Sequence, residues 1–446
     1  MSCYQYDCCL GYSVTKRNNV ALIEDEVIVF IVGNTLQILN LRDRSEHRVI
    51  HGHSTGIGAF AIERSANKEC HLAIGEIGAM PNIYIYSYPE LSEERQTVTL
   101  CNGTQRRYND VQFNLDGQYL ASMGGAPDHM LTIWDWRAGA VILRAKAFSQ
   151  DVFSVRFSPF HRHRLISAGT GHIRFWQMAQ TFTGLKLQGK IGKFGAVDLS
   201  DVASFVEFAS GKILSGSEHG NLLMWHSHFI QFVARPDAES TCHAANIIYV
   251  DVYQPGDQQD EEVLLVSAST DGCIKFWHAA DIEFFEPSDD CTFYPIRLKH
   301  EMRVSESAHC KLVSMVKHNN LYWLIQDAMG NLWKLQKLAD SDDFKLHSVQ
   351  SFHGLYVTAI ECGRKSHEMT TAGKDGTIRH WNLQTKTCDF IKCLPSAVNV
   401  LLSMPLNTEK YLMAFCDDGV LRVMEKGTDA FVMKYALRLH DEAIID

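Results

Sequence analysis

Apolar and polar residues alternate with a period of two along most of the chain, in short bursts that close on a bulky side chain. Period two predicts strands whose successive side chains face opposite sides of a sheet, and helical periodicity is scarce enough that little helix is expected. One cassette recurs, built from a small or polar turn followed by alternating apolar residues and a large aromatic. Its clearest copies are Asp271-Gly-Cys-Ile-Lys-Phe-Trp277, Asp375-Gly-Thr-Ile-Arg-His-Trp381, His219-Gly-Asn-Leu-Leu-Met-Trp225, Thr170-Gly-His-Ile-Arg-Phe-Trp176 and His129-Met-Leu-Thr-Ile-Trp134. Weaker copies place Leu39, Tyr86, Leu335 and Met424 at the closing position, giving nine anchors spaced by 42 to 58 residues.

Upstream of most anchors lies a second strand ending in small residues, such as Tyr119-Leu-Ala-Ser-Met-Gly124 or Val263-Leu-Leu-Val-Ser-Ala-Ser269. Asp-Gly or Gly-Asn between the two supplies the positive φ angles of a tight hairpin. A third strand precedes these, as in Asp151-Val-Phe-Ser-Val-Arg-Phe157, which Ser158-Pro159 ends. The period fits about 40 to 45 residues per four-stranded unit, stretched by loop insertions, and exceeds the 34 of common helical repeats.

Trp134-Asp135, the Asp-Gly turns, Gly52-His53 and the ladder of tryptophans resemble the WD40 family. The resemblance implies an all-β WD40 β-propeller. In such blades the Trp, an upstream Ser or Thr, the turn Asp and a preceding His share hydrogen bonds, so Trp134, Trp176, Trp225, Trp277 and Trp381 read as structural blade anchors. Ser267, Asp271 and Trp277 then form part of one network, and Asp375 with Trp381 part of another. Nine anchors exceed the four to eight blades of most propellers. The expected division is a seven-bladed propeller over 1–350 and the opening blades of a second propeller over 351–446, where the terminal stretch from Leu437 to Asp446 reads as the start of a further copy.

Gly11-Tyr12 and Lys16-Arg-Asn-Asn-Val20 resemble the opening motif of the echinoderm microtubule-associated-protein-like group, whose members use tandem propellers. Gly33-Asn-Thr-Leu-Gln-Ile-Leu-Asn-Leu41, Thr181-Phe-Thr-Gly-Leu-Lys-Leu-Gln-Gly189 and Gln326-Asp-Ala-Met-Gly-Asn-Leu-Trp-Lys-Leu335 are similar to a cilia- and flagella-associated branch of WD40 proteins. That resemblance implies a non-catalytic axonemal scaffold in the cytoskeleton of the cilium or flagellum. Its implied partners are cilia- and flagella-associated protein 43, inner-arm dynein, and tubulin of the doublet microtubule, joined in a tether to the dynein motor domains and needed for motility. The alternatives are a cytoplasmic microtubule-associated propeller and a cullin ubiquitin-ligase substrate receptor, the latter through Trp134-Asp135-Trp136-Arg137.

Composition narrows the remaining chemistry. The 446 residues are 46% apolar and carry 42 basic against 52 acidic side chains, a net charge of −10 that argues against a general phosphate-binding surface. The thirteen cysteines are scattered, and the first seven residues lack the features of a secretory leader, so a reducing, intracellular setting is expected. The densest apolar run, residues 27–32, is far short of the roughly twenty a membrane-spanning helix needs. His-Glu-x-x-His, the phosphate-binding Gly-x-x-x-x-Gly-Lys loop, the Gly-x-Ser-x-Gly elbow and Cys-x-x-Cys are all missing. No cofactor, metal, nucleic acid, membrane or small-molecule substrate is expected. The pairs His51/His53, His161/His163 and His226/His228 alternate as if on one side of a strand, yet read as loop or surface histidines. Gly189-Lys-Ile-Gly-Lys-Phe-Gly195 reads as a flexible loop. Candidate partner contacts are Lys186, Lys190 and Lys193 beside it, Arg162 and Arg164 in a second basic cluster, and Arg137. The acidic run Asp257-Gln-Gln-Asp-Glu-Glu262 reads as a solvated insertion.

Overall fold

Each cassette folds into one antiparallel sheet, because its two-residue alternation gives every strand one face to bury and its Gly-containing turns reverse the chain tightly. In the computed structural model, residues 11–445 are described apart from 45, 65–69, 90–95, 255–262, 280, 289–292, 307–309, 320–321, 339–342, 364 and 405–410. Asp257–Glu262, Cys3, Cys8 and Cys9 therefore lie outside the described residues. Nine sheets follow in chain order, and no helix occurs among the described residues. Eight sheets have four strands; the fifth gains another where Phe293–Pro295 pairs in parallel with Phe229–Arg235. The sequence pattern did not foretell that strand, which is only three residues long.

The third strand of each sheet carries one anchor. These strands are Thr35–Asn40, Ile83–Tyr88, Met130–Asp135, His172–Thr181, Leu222–His226, Cys273–His278, Asn331–Lys337, Thr377–Asn382 and Val420–Lys426. All nine anchors are buried. At the Asp-Gly turns Gly272 and Gly376 adopt φ of +86° and +72°, where an L side chain would be strained. A Cβ on Gly272 would also lie 2.8 Å from the carbonyl oxygen of Cys310.

The core is divided into apolar clusters that lie between sheets. Trp134 packs on the second sheet with Ile83 and Ile85, Trp176 on the third with Met123 and Leu131, Trp225 on the fourth with Ile166 and Ala168, and Trp277 on the fifth with Met224 and Phe232. Similar clusters join the first sheet to the second and the sixth to the seventh. One further cluster unites three sheets: Leu22 and Phe30 of the first, Leu324 and Leu332 of the seventh, and Trp381 of the eighth. The ninth sheet packs on the eighth through Ile378, Leu412 and Met424. Its opposite face leaves Leu402, Val432, Tyr435 and Leu437 exposed.

One sequence expectation needs correction. Gly189 to Ile191 form the end of the strand Gly184–Ile191, and Phe194 is buried edge-on against Trp225 at 5.1 Å, so this stretch is pinned rather than a flexible loop. The histidine pairs share no strand, in keeping with their reading as loop or surface residues: His51 and His226 end strands, and His53, His161, His163 and His228 lie in turns or loops.

Candidate functional site

The tryptophan networks are side-chain ladders within the sheets that carry a tryptophan anchor. Trp277 Nε1 donates to Ser267 Oγ at 2.8 Å, His243 Nε2 meets the same hydroxyl at 2.7 Å, and His243 Nδ1 lies 3.1 Å from Asp271 Oδ2. Asp271 also accepts the backbone N–H groups of Cys273 and Ala244. The eighth sheet repeats the arrangement with Trp381, Thr371, His353 and Asp375 at 2.8, 2.8 and 3.1 Å. Trp134, Trp176 and Trp225 keep only the first link, to Ser122, Ser167 and Ser215. Thus Asp271 and Asp375 each hold a turn to a buried His. The histidines themselves escaped the sequence reading, although His353-Gly354 and Thr241-Cys-His243 sit directly before the strands where such a partner belongs.

The opening motif occupies the seam between the first and seventh sheets. Gln326 Nε2 donates to the carbonyls of Val14 and Lys16 at 2.5 and 2.9 Å, and Asn18 N–H donates to Ser314 Oγ at 3.0 Å. The last bond has counterparts between other neighbours: Val155 N–H to Asp110 Oδ2 and Val250 N–H to Ser204 Oγ. Fully buried Asn19 ties Ser13 to Ile31 through three bonds. Lys16 Nζ reaches the Gly58 carbonyl at 3.4 Å, and Arg17 stacks over Phe153 of the fourth sheet at 3.9 Å. Burial, with Arg107 nearby, brings the Lys16 ammonium down to about 8.

Beyond that segment lie two adjoining cavities of about 360 and 410 Å³. Between them the two are walled by residues of the first strands of seven sheets: Val20–Glu24 and Leu312–Lys317 line the first cavity, Phe205–Glu207 the second, and Gly56–Arg64, Tyr108–Phe113, Val152–Phe157 and Ile247–Tyr253 contribute to both. The corresponding strands of the eighth and ninth sheets, Val357–Cys362 and Val398–Ser403, take no part. Among the cavity residues burial raises the Asp110 carboxyl to about 7, against the Val155 N–H and Arg156. No group of three or more His, Cys, Asp or Glu able to hold a metal occurs among the described residues.

The candidate contact cations fall in two places. Lys186 and Lys190 project from the strand Gly184–Ile191; Arg164 begins the strand Arg164–Gly169, separated from it by His172–Thr181, with its Nε on Gln177 Oε1 at 3.2 Å, and exposed Arg162 precedes it. Lys193 follows, its ammonium 5.2 Å from the Phe229 ring centre. Arg137 lies apart: its Nη1 donates to the Gly117 carbonyl at 2.5 Å and its guanidinium covers the Trp136 ring at 4.2 Å. Both contacts lie within its own sheet.

The WD domain, G-beta repeat family matches residues 142–177. Cilia- and flagella-associated protein 44 of Mus musculus is 34% identical over 422 residues, covering 93% of this chain and 22% of that protein. The protein of the same name from Chlamydomonas reinhardtii is 44% identical over 240 residues, 52% of this chain and 13% of its own length. Echinoderm microtubule-associated protein-like 4 of Xenopus laevis is 26% identical over 235 residues, half of this chain and 24% of that protein. The chain thus spans about a fifth of the length of the mouse relative.

Proposed function

We propose, from the premise that this chain is a WD40-repeat relative of cilia- and flagella-associated protein 44, that it is a non-catalytic scaffold of the ciliary or flagellar axoneme. The single observation that carries the reading is the similarity to a protein of that name along nearly the whole chain. On this reading the first seven sheets close as a propeller over 1–350. The Ser314–Asn18 bond at the seam and the shared cavity walls support this, as does the cluster that joins the seventh sheet to the first. Residues 351–446 then begin a second propeller leaning on the first through Trp381.

The mechanism is positional. Loops held on rigid sheets lose little freedom on association, which suits a platform under load. Cilia- and flagella-associated protein 43, the inner-arm dynein and the doublet microtubule are the partners in this reading, with the platform biasing the motor's permitted movements and hydrolysing nothing itself. Deleting the protein in ciliated cells is expected to impair beating while leaving the ATPase of isolated dynein unchanged; normal swimming would sink the proposal. Similarity to the echinoderm microtubule-associated group favours a second reading, a cytoplasmic microtubule-binding propeller. Co-sedimentation with cytoplasmic microtubules combined with absence from axonemes would select it.

A further inference from the structure

The hairpin that closes the fourth sheet departs from the others. In the sheets of Trp134, Trp225, Trp277 and Trp381 the pairing shifts register at the anchor, and the anchor's strand ends one residue beyond it. The strand of Trp176 instead keeps register through eight pairs and runs on to Thr181. Four extra residues carry the hairpin outward by roughly 13 Å at the rise of a β-strand. At its tip Phe182 is fully exposed.

Its charge is equally distinct. Residues 172–197 hold four Lys or Arg and no Asp or Glu, in a chain whose net charge is −10. Lys186 and Lys190 alternate with Gln188 on one face of the strand Gly184–Ile191, both exposed and in no ion pair among the described residues. That face borders a groove of about 420 Å³ toward the fifth sheet, with Lys190 and Arg164 among its walls and Phe175 as apolar lining. Glu207 also lines the groove. Its side chain is 5% exposed, and its Oε1 lies 4.0 Å from His161 Nε2.

We infer that this groove binds an extended acidic segment of a partner protein. The segment's carboxylates meet Lys186, Lys190 and Arg164, and an apolar side chain lies against Phe175. The pairing of exposed cations with the apolar Phe175 lining favours a polypeptide, which brings carboxylates and an apolar side chain together. The inference rests on the scaffold reading only in supposing a protein partner.

The test is fluorescence anisotropy of the whole chain with a labelled glutamate-rich peptide of about twelve residues bearing one central leucine. Saturable binding is expected, weakening at least about tenfold in the Lys186→Glu/Lys190→Glu variant and steeply with added salt. The variant's melting curve should match the wild type, because both ammonium groups are exposed. The inference is overturned if the peptide fails to bind, if the variant binds it equally, or if a lysine-rich peptide or a labelled RNA of similar length binds more tightly. Axonemal localisation, scored separately, tells its failure from that of the scaffold reading: a chain that reaches axonemes yet ignores the peptide sinks this inference alone.

Discussion

His243 and Asp271, 28 residues apart in sequence, are held 3.1 Å apart from Nδ1 to Oδ2, and the same imidazole closes on Ser267 beneath Trp277. Burial raises the Asp271 carboxyl, but the His243 ring and the N–H groups of Cys273 and Ala244 outweigh it and leave the group at about 2. A carboxyl held below its unfolded value of about 3.9 stabilises the fold at higher pH, and that contribution is lost as pH falls through the folded value. Asp271→Asn is therefore expected to lower stability by about 1–2 kcal/mol near neutrality. The gap between variant and wild type should stay constant above about pH 4 and narrow toward pH 2. Urea titrations at several pH values measure it; a gap that widens on acidification contradicts the assignment.

Trp381 tests whether the chain divides where the sequence period suggests. The indole is fully buried where the first, seventh and eighth sheets meet, and its Nε1 binds Thr371 at 2.8 Å. Trp381→Ala is expected to cost about 3–5 kcal/mol locally. Limited proteolysis should then cut within 351–446 while a fragment of the first seven sheets survives. Loss of all nine sheets together would refute the proposed two-part division.

The fold was legible because burial of one sheet face writes itself as alternation, and because a small or polar turn and a terminal tryptophan recur in every strong copy. Even Leu39, Tyr86, Leu335 and Met424, which lack the tryptophan, landed on third strands. His243, His353 and Thr371 were less legible, since a histidine in a loop has no periodic context until the chain folds it onto an Asp. Gly189 to Gly195 misled for a related reason: glycine content suggested freedom, whereas the burial of Phe194 against Trp225 decides the conformation. The groove beside Lys190 was visible only as charge, because Glu207 and Arg164 reach it from other strands.

Asp110 offers a prediction of opposite sign. Burial holds this carboxyl up at about 7 while its Oδ2 accepts the Val155 N–H at 2.8 Å. Between about pH 4 and 7 the unfolded chain ionises this group while the folded chain keeps its proton, so folding is progressively penalised. Asp110→Asn retains a carbonyl acceptor for Val155 and removes the penalty. The variant should match the wild type in acid, gain on it as pH rises to about 7, and hold a constant advantage above. Thermal melts across that range check it, and a variant less stable at pH 8 than the wild type would show that the carboxylate is instead favoured in place.

Asn19 probes the seam on which closure of the first seven sheets depends. Its amide donates to the carbonyls of Ser13 and Ile31 and its carbonyl accepts the Ile31 N–H, the two bonds to Ile31 being fully buried. Asn19→Ala leaves the Ile31 N–H without its acceptor and takes one of two donors from each of the Ser13 and Ile31 carbonyls, which keep the Lys16 and Ser13 N–H groups, and is expected to cost about 1–3 kcal/mol. Asn19→Asp should be worse despite its similar shape, because it keeps the acceptor but places a buried charge against two carbonyl oxygens. Loosening here frees residues 14–18, so the bonds from Gln326 to Val14 and Lys16 and from Asn18 to Ser314 should weaken together. Hydrogen exchange is the discriminating measurement. Faster exchange at Asn18 in both variants, with the ninth sheet unchanged, is expected of a seam that closes the first seven sheets, whereas uniform acceleration across the chain would mean that Asn19 only adds to global stability.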